Sequence, residues 1–161
     1  MPANRPVIVL ITGMSGVGKS STLDELARRG WHTIDTDRGP WQVPGPDGDM
    51  IWHKPRIATL LASVTPGDRL ALAATVRNQG VFRHQFAATV LLTAPLDVML
   101  NRVSTRTSNP FGSTDAERQT IAQDTEHIVP LLRPTADLEL DTATRSVAEV
   151  TDCIEAFLRS R

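Results

Sequence analysis

Apolar residues follow two spacings along this 161-residue chain. Short apolar runs, which are typical of buried strands, predict strands at 7–11, 31–35, 70–76, 89–93 and 138–140. Between them, apolar residues recur every three or four positions, which predicts helices after Ser20, Pro55 and Pro95 and from Thr114 and Ser146. Because strands and helices alternate, the pattern predicts an α/β fold: a parallel sheet between two helical layers, with ligands at the carboxyl ends of the strands.

Glycine, proline and capping residues set the expected ends of these elements. Gly30 predicts that the first helix ends after Arg29. Pro130 predicts the end of the helix that begins with the capping sequence at Thr114. Residues 38–50 are dense in Gly, Pro and Asp, so they predict an irregular loop. The alanine-rich run at 70–76 is also compatible with a helix.

The first apolar run leads directly into the octapeptide GMSGVGKS at 13–20, which matches the pattern G-x-x-x-x-G-K-[ST]. Glycines at such a turn let successive backbone N–H groups surround an anion, and the following helix presents its positive end to the same anion. The motif therefore predicts a phosphate-binding loop (P-loop), in which Lys19 reaches the β and γ phosphates of a nucleotide and Ser20 is a ligand of Mg²⁺. The residues expected to contact the nucleotide here are Gly13, Ser15, Gly16, Val17, Gly18, Lys19, Ser20 and Ser21.

Length, charge and cysteine content indicate the number of domains, the kinds of partner and the cellular compartment. The length predicts one domain over residues 1–161. The formal net charge is -1, with acidic and basic residues mixed along the chain, so nothing indicates a nucleic-acid surface or attraction to a membrane. Cys153 is the only cysteine, and the apolar run before the loop is too short for a signal peptide or a membrane span. We therefore expect a cytoplasmic protein.

Two carboxylates follow the second predicted strand, in Asp35-Thr36-Asp37. Side chains two apart in an extended segment point the same way, so both carboxylates are expected at the crevice that holds the phosphates. One could hold Mg²⁺ through water, and the other could accept the proton of an attacking hydroxyl. The third and fourth predicted strands lead instead into Thr75 and Thr93, so among these three strands only the second offers an acidic metal anchor. The chain also lacks the Asn-Lys-x-Asp and Asp-x-x-Gly signatures of GTPases.

Arginines flank a polar stretch at about 104–118 that contains a glycine, and this stretch is predicted to form a lid. Phosphoryl transfer requires that water is excluded and that cations meet the developing charge. Arginines on a closing loop meet both needs. Arg102 and Arg106 are therefore the candidates for contact with the nucleotide.

Taken in order, these features resemble the small-molecule kinases of the adenylate kinase-like group, and shikimate kinases in particular. The resemblance rests on the P-loop, Asp-x-Asp after the second strand, Asn78-Gln79-Gly80 after the third, the segment 96–102 before the lid, and Arg133-Pro-Thr-Ala before the last strand. It implies a three-layer α/β/α P-loop NTPase fold with a five-stranded parallel sheet and a short lid. It also implies ATP and Mg²⁺ as cofactors.

The resemblance further implies roles for individual residues. Asp35 would lie near the metal ion, Arg102 beside the adenine and Arg106 on the phosphates. The catalytic residues would be Lys19, Asp37 and Arg106. The acceptor would be bound by Asp37, Arg56, Asn78, Gln79, Gly80 and Arg133.

The identity of the acceptor stays open. Shikimate kinases carry a run of glycines where this chain has Asn78-Gln79-Gly80, and they have no counterpart of the segment with Trp41, Trp52 and His53. Gluconate kinases share a similar phosphate loop and a polar lid. Trp41 and Trp52 could stack on an acceptor ring or sugar, or could pack inside the protein.

We therefore predict an ATP-dependent kinase that phosphorylates a hydroxyl of a small metabolite. The glycine loop and Lys19 would hold the γ-phosphoryl group, and Asp37 would orient or deprotonate the acceptor. Two alternatives are a nucleoside or nucleotide kinase, and an ATP-binding sensor or adaptor that does not act on a metabolite.

Overall fold

The computed structural model describes residues 5–105 and 114–161. Within these ranges five parallel strands form one sheet: β1 (Val7–Thr12), β2 (His32–Asp35), β5 (Arg69–Ala73), β6 (Ala88–Thr93) and β7 (Leu138–Asp141). A separate antiparallel hairpin consists of β3 (Gln42–Pro44) and β4 (Met50–Trp52). The order across the main sheet is β2-β5-β1-β6-β7, so the strand that leads into the glycine loop is central.

Helices cover both faces of the sheet. They are α1 (Lys19–Arg28), α2 (Lys54–Ala62), α3 (Leu96–Thr105), α4 (Asp115–Leu132) and α5 (Val147–Arg159), with short 3-10 turns at Gln79–Gln85 and Arg133–Thr135. Within the described ranges, none of these helices is both long and apolar enough to span a bilayer. The predicted three-layer α/β/α fold with a five-stranded parallel sheet is confirmed.

Two cores lie on opposite faces of the sheet because successive residues of β1 point to opposite sides. Ile11 belongs to a core with Ile154 of α5, and its neighbour Leu10 belongs to a second core with Ile57 of α2. These four side chains are at most 1% exposed. The near-continuous apolar runs in the sequence follow from this burial on both faces.

Several predicted helix ends are confirmed by local geometry. Gly30 follows the first helix with φ of 92°, a conformation that favours glycine. Ser146 caps α5, since its hydroxyl accepts the Glu149 N–H while the Glu149 carboxylate accepts the Ser146 N–H. The Thr114 hydroxyl likewise accepts the N–H of Glu117 at the start of α4.

Two predictions of secondary structure were wrong. Residues 38–50 were predicted as an irregular loop, but they contain β3 and the start of β4, joined by a turn in which the Gly45 N–H donates to Asp49 O at 2.7 Å. The Pro-Asp-Gly sequence at 46–48 favours such a turn, and Gly48 adopts φ of 87° there. Helix α4 also continues past Pro130 to Leu132, so the proline lies within the last turn of the helix.

Candidate functional site

The glycine loop joins β1 to α1, and its backbone conformation favours glycine over residues with side chains. Gly16 and Gly18 have φ of 87° and 99°, in the left-handed region that favours glycine. Gly16 also packs closely on α3, since a Cβ atom added there would lie 2.7 Å from the Met99 carbonyl oxygen. Gly16 is therefore required both by its backbone conformation and by the packing of the loop, and Gly18 by its backbone conformation.

Helix α1 presents unsatisfied N–H groups to the loop. It begins at Lys19 with no side-chain cap and has no acidic residue in its first turn. The first N–H groups of a helix have no partner within the helix, and together with the helix dipole they favour an anion. Ser20 and Ser21 are exposed in this turn, and neither their hydroxyls nor that of Ser15 bond another described residue. These atoms suit a phosphate chain and its metal ion.

The Lys19 ammonium lies at the mouth of the loop. It donates to the Gly13 carbonyl and, at 3.2 Å, to the Thr75 hydroxyl. Thr75 follows β5, the strand next to β1, and its hydroxyl also accepts the Gly13 N–H at 3.2 Å. The beginning of the loop, the motif lysine and the end of β5 thus form one hydrogen-bonded group.

Asp35 ends β2, two strands away from β1. It lies opposite Ala73 of β5, which in turn lies opposite Ile11 of β1. Two strand spacings, about 10 Å in total, therefore separate Asp35 from β1 across the sheet. The Asp35 carboxylate is half-buried, and its Oδ2 atom is 3.9 Å from Nε of Arg38. Asp35 thus lies at the same edge of the sheet as the loop, where its carboxylate could hold a metal ion through water.

The chain turns directly after Asp35 instead of staying extended. The Thr36 side chain points inward, where its hydroxyl donates to Ala73 O at 2.8 Å and accepts the indole N–H of Trp52 at 2.9 Å. The Asp37 N–H donates to Asp35 Oδ1 at 3.1 Å. The expected extended geometry of this segment is therefore wrong. The exposed Asp37 carboxylate accepts the Gln42 side-chain N–H at 2.9 Å through Oδ1.

The side chains of Asn78 and Gln79 bond within the protein. Asn78 accepts the Trp52 N–H and donates to the Trp52 carbonyl, both at 3.0 Å. Gln79 is buried, accepts the Val76 N–H at 3.0 Å and donates to the Thr12 hydroxyl at 3.2 Å. These contacts fix the segment after β5 beside the loop and the hairpin. Gly80 is exposed, and its predicted contact with an acceptor stays a prediction.

Arg102 of α3 reaches the other side of the glycine loop. Its Nη1 atom donates to Gly16 O at 3.0 Å and to the Thr142 hydroxyl at 2.9 Å, and its Nη2 atom donates to Thr142 O at 3.0 Å. A cavity of about 250 Å³ lies beside these contacts. Its lining includes Gly18, Ser21, Arg102, Thr142 and Arg145. Arg102 is thus next to a cavity that opens beside the start of α1, where the nucleotide was expected.

A groove of about 420 Å³ lies on the outer side of α2, between Trp41 and Arg56. Arg56 donates to Pro40 O at 2.6 Å, and His53 caps α2 by accepting the Arg56 N–H at Nδ1. Trp52 is 1% exposed and packs against aromatic rings, so it is a core residue. Trp41, one of the three residues considered for the acceptor site, borders this groove.

Arg133 lies in the 3-10 turn before β7 and is ion paired with Glu139. Its Nε atom is 2.8 Å from Glu139 Oε1, and this carboxylate raises the pKa of the Arg133 guanidinium. Across the described ranges, Arg133 has no contact with the P-loop or with the turn at 35–37. Its role in acceptor binding therefore stays a prediction. Arg106 and the centre of the predicted lid lie outside the described residues.

Three threonines at this site were missed from the sequence. The Thr75 hydroxyl accepts a hydrogen bond from Lys19, and the Thr142 hydroxyl donates to the Val17 carbonyl of the loop. The Thr36 hydroxyl links the turn at 35–37 to β5 by donating to the Ala73 carbonyl. The apolar run that leads into Thr75 was the one available signal, because it marks the end of a neighbouring strand. For Thr142, a polar residue just after the last strand is too common a feature to indicate a role.

No protein-family model matches the sequence. A nucleotide-binding protein of Solibacter usitatus is 28% identical over 163 residues, which cover 99% of this chain and 50% of the relative. A nucleotide-binding protein of Acidobacterium capsulatum is 30% identical over 164 residues, with the same two coverages. One from Mycobacterium tuberculosis is 28% identical over 151 residues, covering 92% and 50%. The chain thus spans about half the length of these curated relatives.

Solved kinases share the fold. A shikimate kinase from Acinetobacter baumannii, in complex with shikimate, matches with a TM-score of 0.68 at 18% identity, covering 99% of this chain and 96% of that one. A gluconokinase from Sinorhizobium meliloti matches with a TM-score of 0.58 at 18% identity, covering 98% and 94%. The predicted shikimate kinase-like P-loop fold is confirmed, because likeness at this level of identity shows the fold.

Proposed function

We propose that this protein binds ATP with Mg²⁺ and transfers the γ-phosphoryl group to a hydroxyl of a small metabolite. The observation that carries the proposal is the glycine loop, which turns through left-handed residues and has the Lys19 ammonium at its mouth. Such a loop supplies N–H donors and one cation to a chain of phosphates. The fold shared with solved kinases and the nucleotide-binding name of the relatives support the same class.

The cavity beside Arg102 supports binding of the nucleoside end of ATP. It adjoins the loop at Gly18, so a nucleotide with its phosphates in the loop would extend into it. The edges of the Arg102 guanidinium are occupied by Gly16 and Thr142, and its flat face remains suited to stack on a planar base. We propose that Arg102 contacts the adenine in this way.

The residues present fit a magnesium ion. Mg²⁺ usually keeps several waters and takes one or two protein ligands in addition to substrate phosphates. Within the described residues no three His, Cys, Asp or Glu side chains form a preassembled metal cluster, so phosphate would complete the ligand set. The exposed Ser20 hydroxyl and the Asp35 carboxylate are the proposed protein ligands, the latter through water. Bound there, the ion would neutralise charge on the transferring group.

We propose that Lys19 binds the phosphates and that Asp37 accepts the proton of the acceptor. Lys19 would bind the β and γ phosphates and meet the charge that develops during transfer. Asp37 accepts the Gln42 N–H at Oδ1, which leaves Oδ2 to accept the proton of the attacking hydroxyl. As the oxygen–phosphorus bond to the acceptor forms, the bond to ADP breaks. Arg106 is proposed to contact the phosphates during this step.

The acceptor is proposed to be a small hydroxylated metabolite. The solved relatives in fold include a shikimate kinase bound to shikimate and a gluconokinase, which supports an acceptor of this size. Asp37 and Arg56 are the proposed contacts that lie nearest the start of the hairpin. Because Cys153 is the only cysteine, we also propose a reducing compartment, the cytoplasm.

A second candidate is an ATP-binding sensor or adaptor that has no metabolite acceptor. It is favoured by the use of Asn78 and Gln79 in internal hydrogen bonds and by the ion pair of Arg133 with Glu139. The curated relatives, moreover, carry only the name nucleotide-binding protein. This candidate keeps the loop, Lys19 and the cavity, and dispenses with the base role of Asp37.

The deciding experiment measures ADP release from ATP and Mg²⁺ with a panel of hydroxylated acids, sugars and nucleosides. A kinase should give acceptor-dependent ADP and a phosphorylated product by mass spectrometry. Lys19→Ala should abolish transfer, whereas Lys54→Ala, at an exposed position of α2, should retain it. Tight ATP binding without transfer to any acceptor would favour the sensor. Failure to bind ATP at all would overturn both candidates.

A further inference from the structure

Thr142 lies directly after β7 and reaches across β6 to the glycine loop. Its N–H donates to Thr93 O at 2.8 Å, which extends the pairing of β6 and β7 by one residue. The residue is 8% exposed, although its side chain is polar. The sheet therefore holds the Thr142 hydroxyl in a fixed position against the outer side of the loop.

On the outer side of the loop, the carbonyl oxygens of two consecutive residues accept hydrogen bonds. The Thr142 hydroxyl donates to Val17 O at 2.7 Å, and the same hydroxyl accepts the Arg102 Nη1 hydrogen at 2.9 Å. Arg102 Nη1 also donates to Gly16 O at 3.0 Å. The carbonyls of Gly16 and Val17 are thus turned away from the interior of the loop, towards Thr142 and Arg102.

The orientation of a carbonyl fixes the N–H group of the next residue. No cis peptide bond occurs among the described residues, and in a trans peptide the C=O and N–H groups point in opposite directions. Binding of Val17 O by Thr142 therefore turns the Gly18 N–H towards the interior of the loop. Gly18 has open space around its Cα atom, so its own packing does not prevent rotation of this peptide.

We infer that Thr142 is a positioning residue for phosphate binding. Its hydroxyl holds the Val17–Gly18 peptide so that the Gly18 N–H donates to the phosphate chain. Thr142 and Arg102 also line the cavity beside the loop, so the same contacts connect the nucleoside end of the site to the phosphate end. This inference rests on the proposed binding of a nucleotide, and it adds a residue that does not itself touch the phosphates.

The test uses three variants of the full chain. Thr142→Val removes the hydroxyl with little change of shape, and Thr142→Ser keeps it. Thr151→Val is the control for loss of a buried threonine hydroxyl, because Thr151 is fully buried and donates to Val147 O at 2.8 Å within α5. Val147 lines the cavity, but among the described residues neither Thr151 nor Val147 has a hydrogen bond to the glycine loop. Affinity is measured by calorimetry for ATP with Mg²⁺ and for inorganic tripolyphosphate, which has no nucleoside.

We expect Thr142→Val to weaken the binding of both probes by about tenfold, the size expected for one misplaced hydrogen bond to a charged group. Thr142→Ser should restore affinity to within about threefold of the wild type. Thr151→Val should lower the stability of the fold and leave both affinities unchanged. Loss of tripolyphosphate binding separates the phosphate role from any contact with the base.

Three outcomes overturn the inference. The first is that Thr142→Val binds tripolyphosphate as tightly as the wild type. The second is that Thr142→Ser loses as much affinity as Thr142→Val, and the third is that Thr151→Val loses as much affinity as Thr142→Val. If Thr142→Val does not fold, Thr142→Ala takes its place and the same comparisons apply. A wild-type protein that binds neither probe overturns the proposed function and this inference together, whereas wild-type binding with unaltered variants overturns this inference alone.

Discussion

The Lys19 ammonium and the Thr75 hydroxyl are hydrogen bonded at 3.2 Å at the mouth of the phosphate loop. Thr75 also donates to Gly13 O at 2.5 Å and accepts the Gly13 N–H at 3.2 Å. P-loop enzymes commonly carry an acidic residue at the end of a neighbouring strand. Here a neutral hydroxyl lies at the end of β5, and it orients the motif lysine while satisfying both polar groups of the first loop residue.

Removal of the Thr75 hydroxyl should destabilise the fold. Thr75→Val leaves the buried Gly13 N–H without a partner, so we expect the free energy of unfolding to fall by about 1–3 kcal/mol in urea. Thr75→Ser keeps the hydroxyl and should retain most of the wild-type free energy of unfolding. Thr125→Val is a matched control, since Thr125 donates to a carbonyl within α4. Wild-type stability for Thr75→Val would contradict the prediction.

Asp37→Asn should lower turnover much more than it lowers ATP affinity. The amide keeps the shape of the side chain but cannot accept the proton of the acceptor hydroxyl, so we expect kcat to fall by about 100-fold or more. The measurements are kcat with the acceptor found in the panel and ATP affinity by calorimetry. Asp24→Asn, at an exposed position of α1, should behave as the wild type. Full turnover by Asp37→Asn would show that Asp37 is not the base.

Trp31 and Trp52 are both buried, and a comparison of the two measures the contribution of one indole hydrogen bond to stability. The Trp52 indole N–H donates to Thr36, whereas the buried indole N–H of Trp31 has no partner among the described residues. Replacement of either residue by Phe removes similar atoms, but only Trp52→Phe removes a hydrogen bond. We expect Trp52→Phe to cost about 1 kcal/mol more unfolding free energy than Trp31→Phe. Thermal and urea unfolding measure the difference, and equal losses would argue against the importance of this bond.

Acid should weaken the hydrogen bonds between Glu25 and the two arginines at the end of α1. Hydrogen bonds from Arg28 and Arg29 lower the pKa of Glu25 below its ordinary value. A carboxylate with a lowered pKa contributes stability above its unfolded-state pKa and loses that contribution as the pH falls through the folded-state value. We therefore expect Glu25→Gln to be less stable than the wild type at neutral pH.

The same argument predicts that this difference disappears in acid. Urea unfolding of Glu25→Gln and the wild type should give free energies that converge as the pH falls below the ordinary pKa of a glutamate. High salt should reduce the difference at neutral pH, because the groups are near the surface. Parallel pH profiles for the two proteins would contradict the assignment.

The wrong predictions have physical causes that sequence spacing does not contain. The hairpin of β3 and β4 was not expected, because its strands have three residues each and their register depends on Trp52 entering the core. Helix α4 passes Pro130 but ends two residues later at Leu132, so the proline shifts the end of the helix without excluding itself from the last turn. In both cases tertiary packing or chain position outweighed a local breaker signal.

The order and spacing of residues were enough to predict the glycine loop, the alternation of strands and helices and the layered parallel sheet. Each of these follows from local spacing and from glycines whose conformation is fixed by the turn. Which side chains meet around the loop depends on how the folded chain brings distant segments together. Thr75, Thr142 and Arg102 reach it from three segments distant in the chain, and Arg133 is held by Glu139 instead. Strand order and register set these contacts, and neither can be obtained from the spacing of residues within one element.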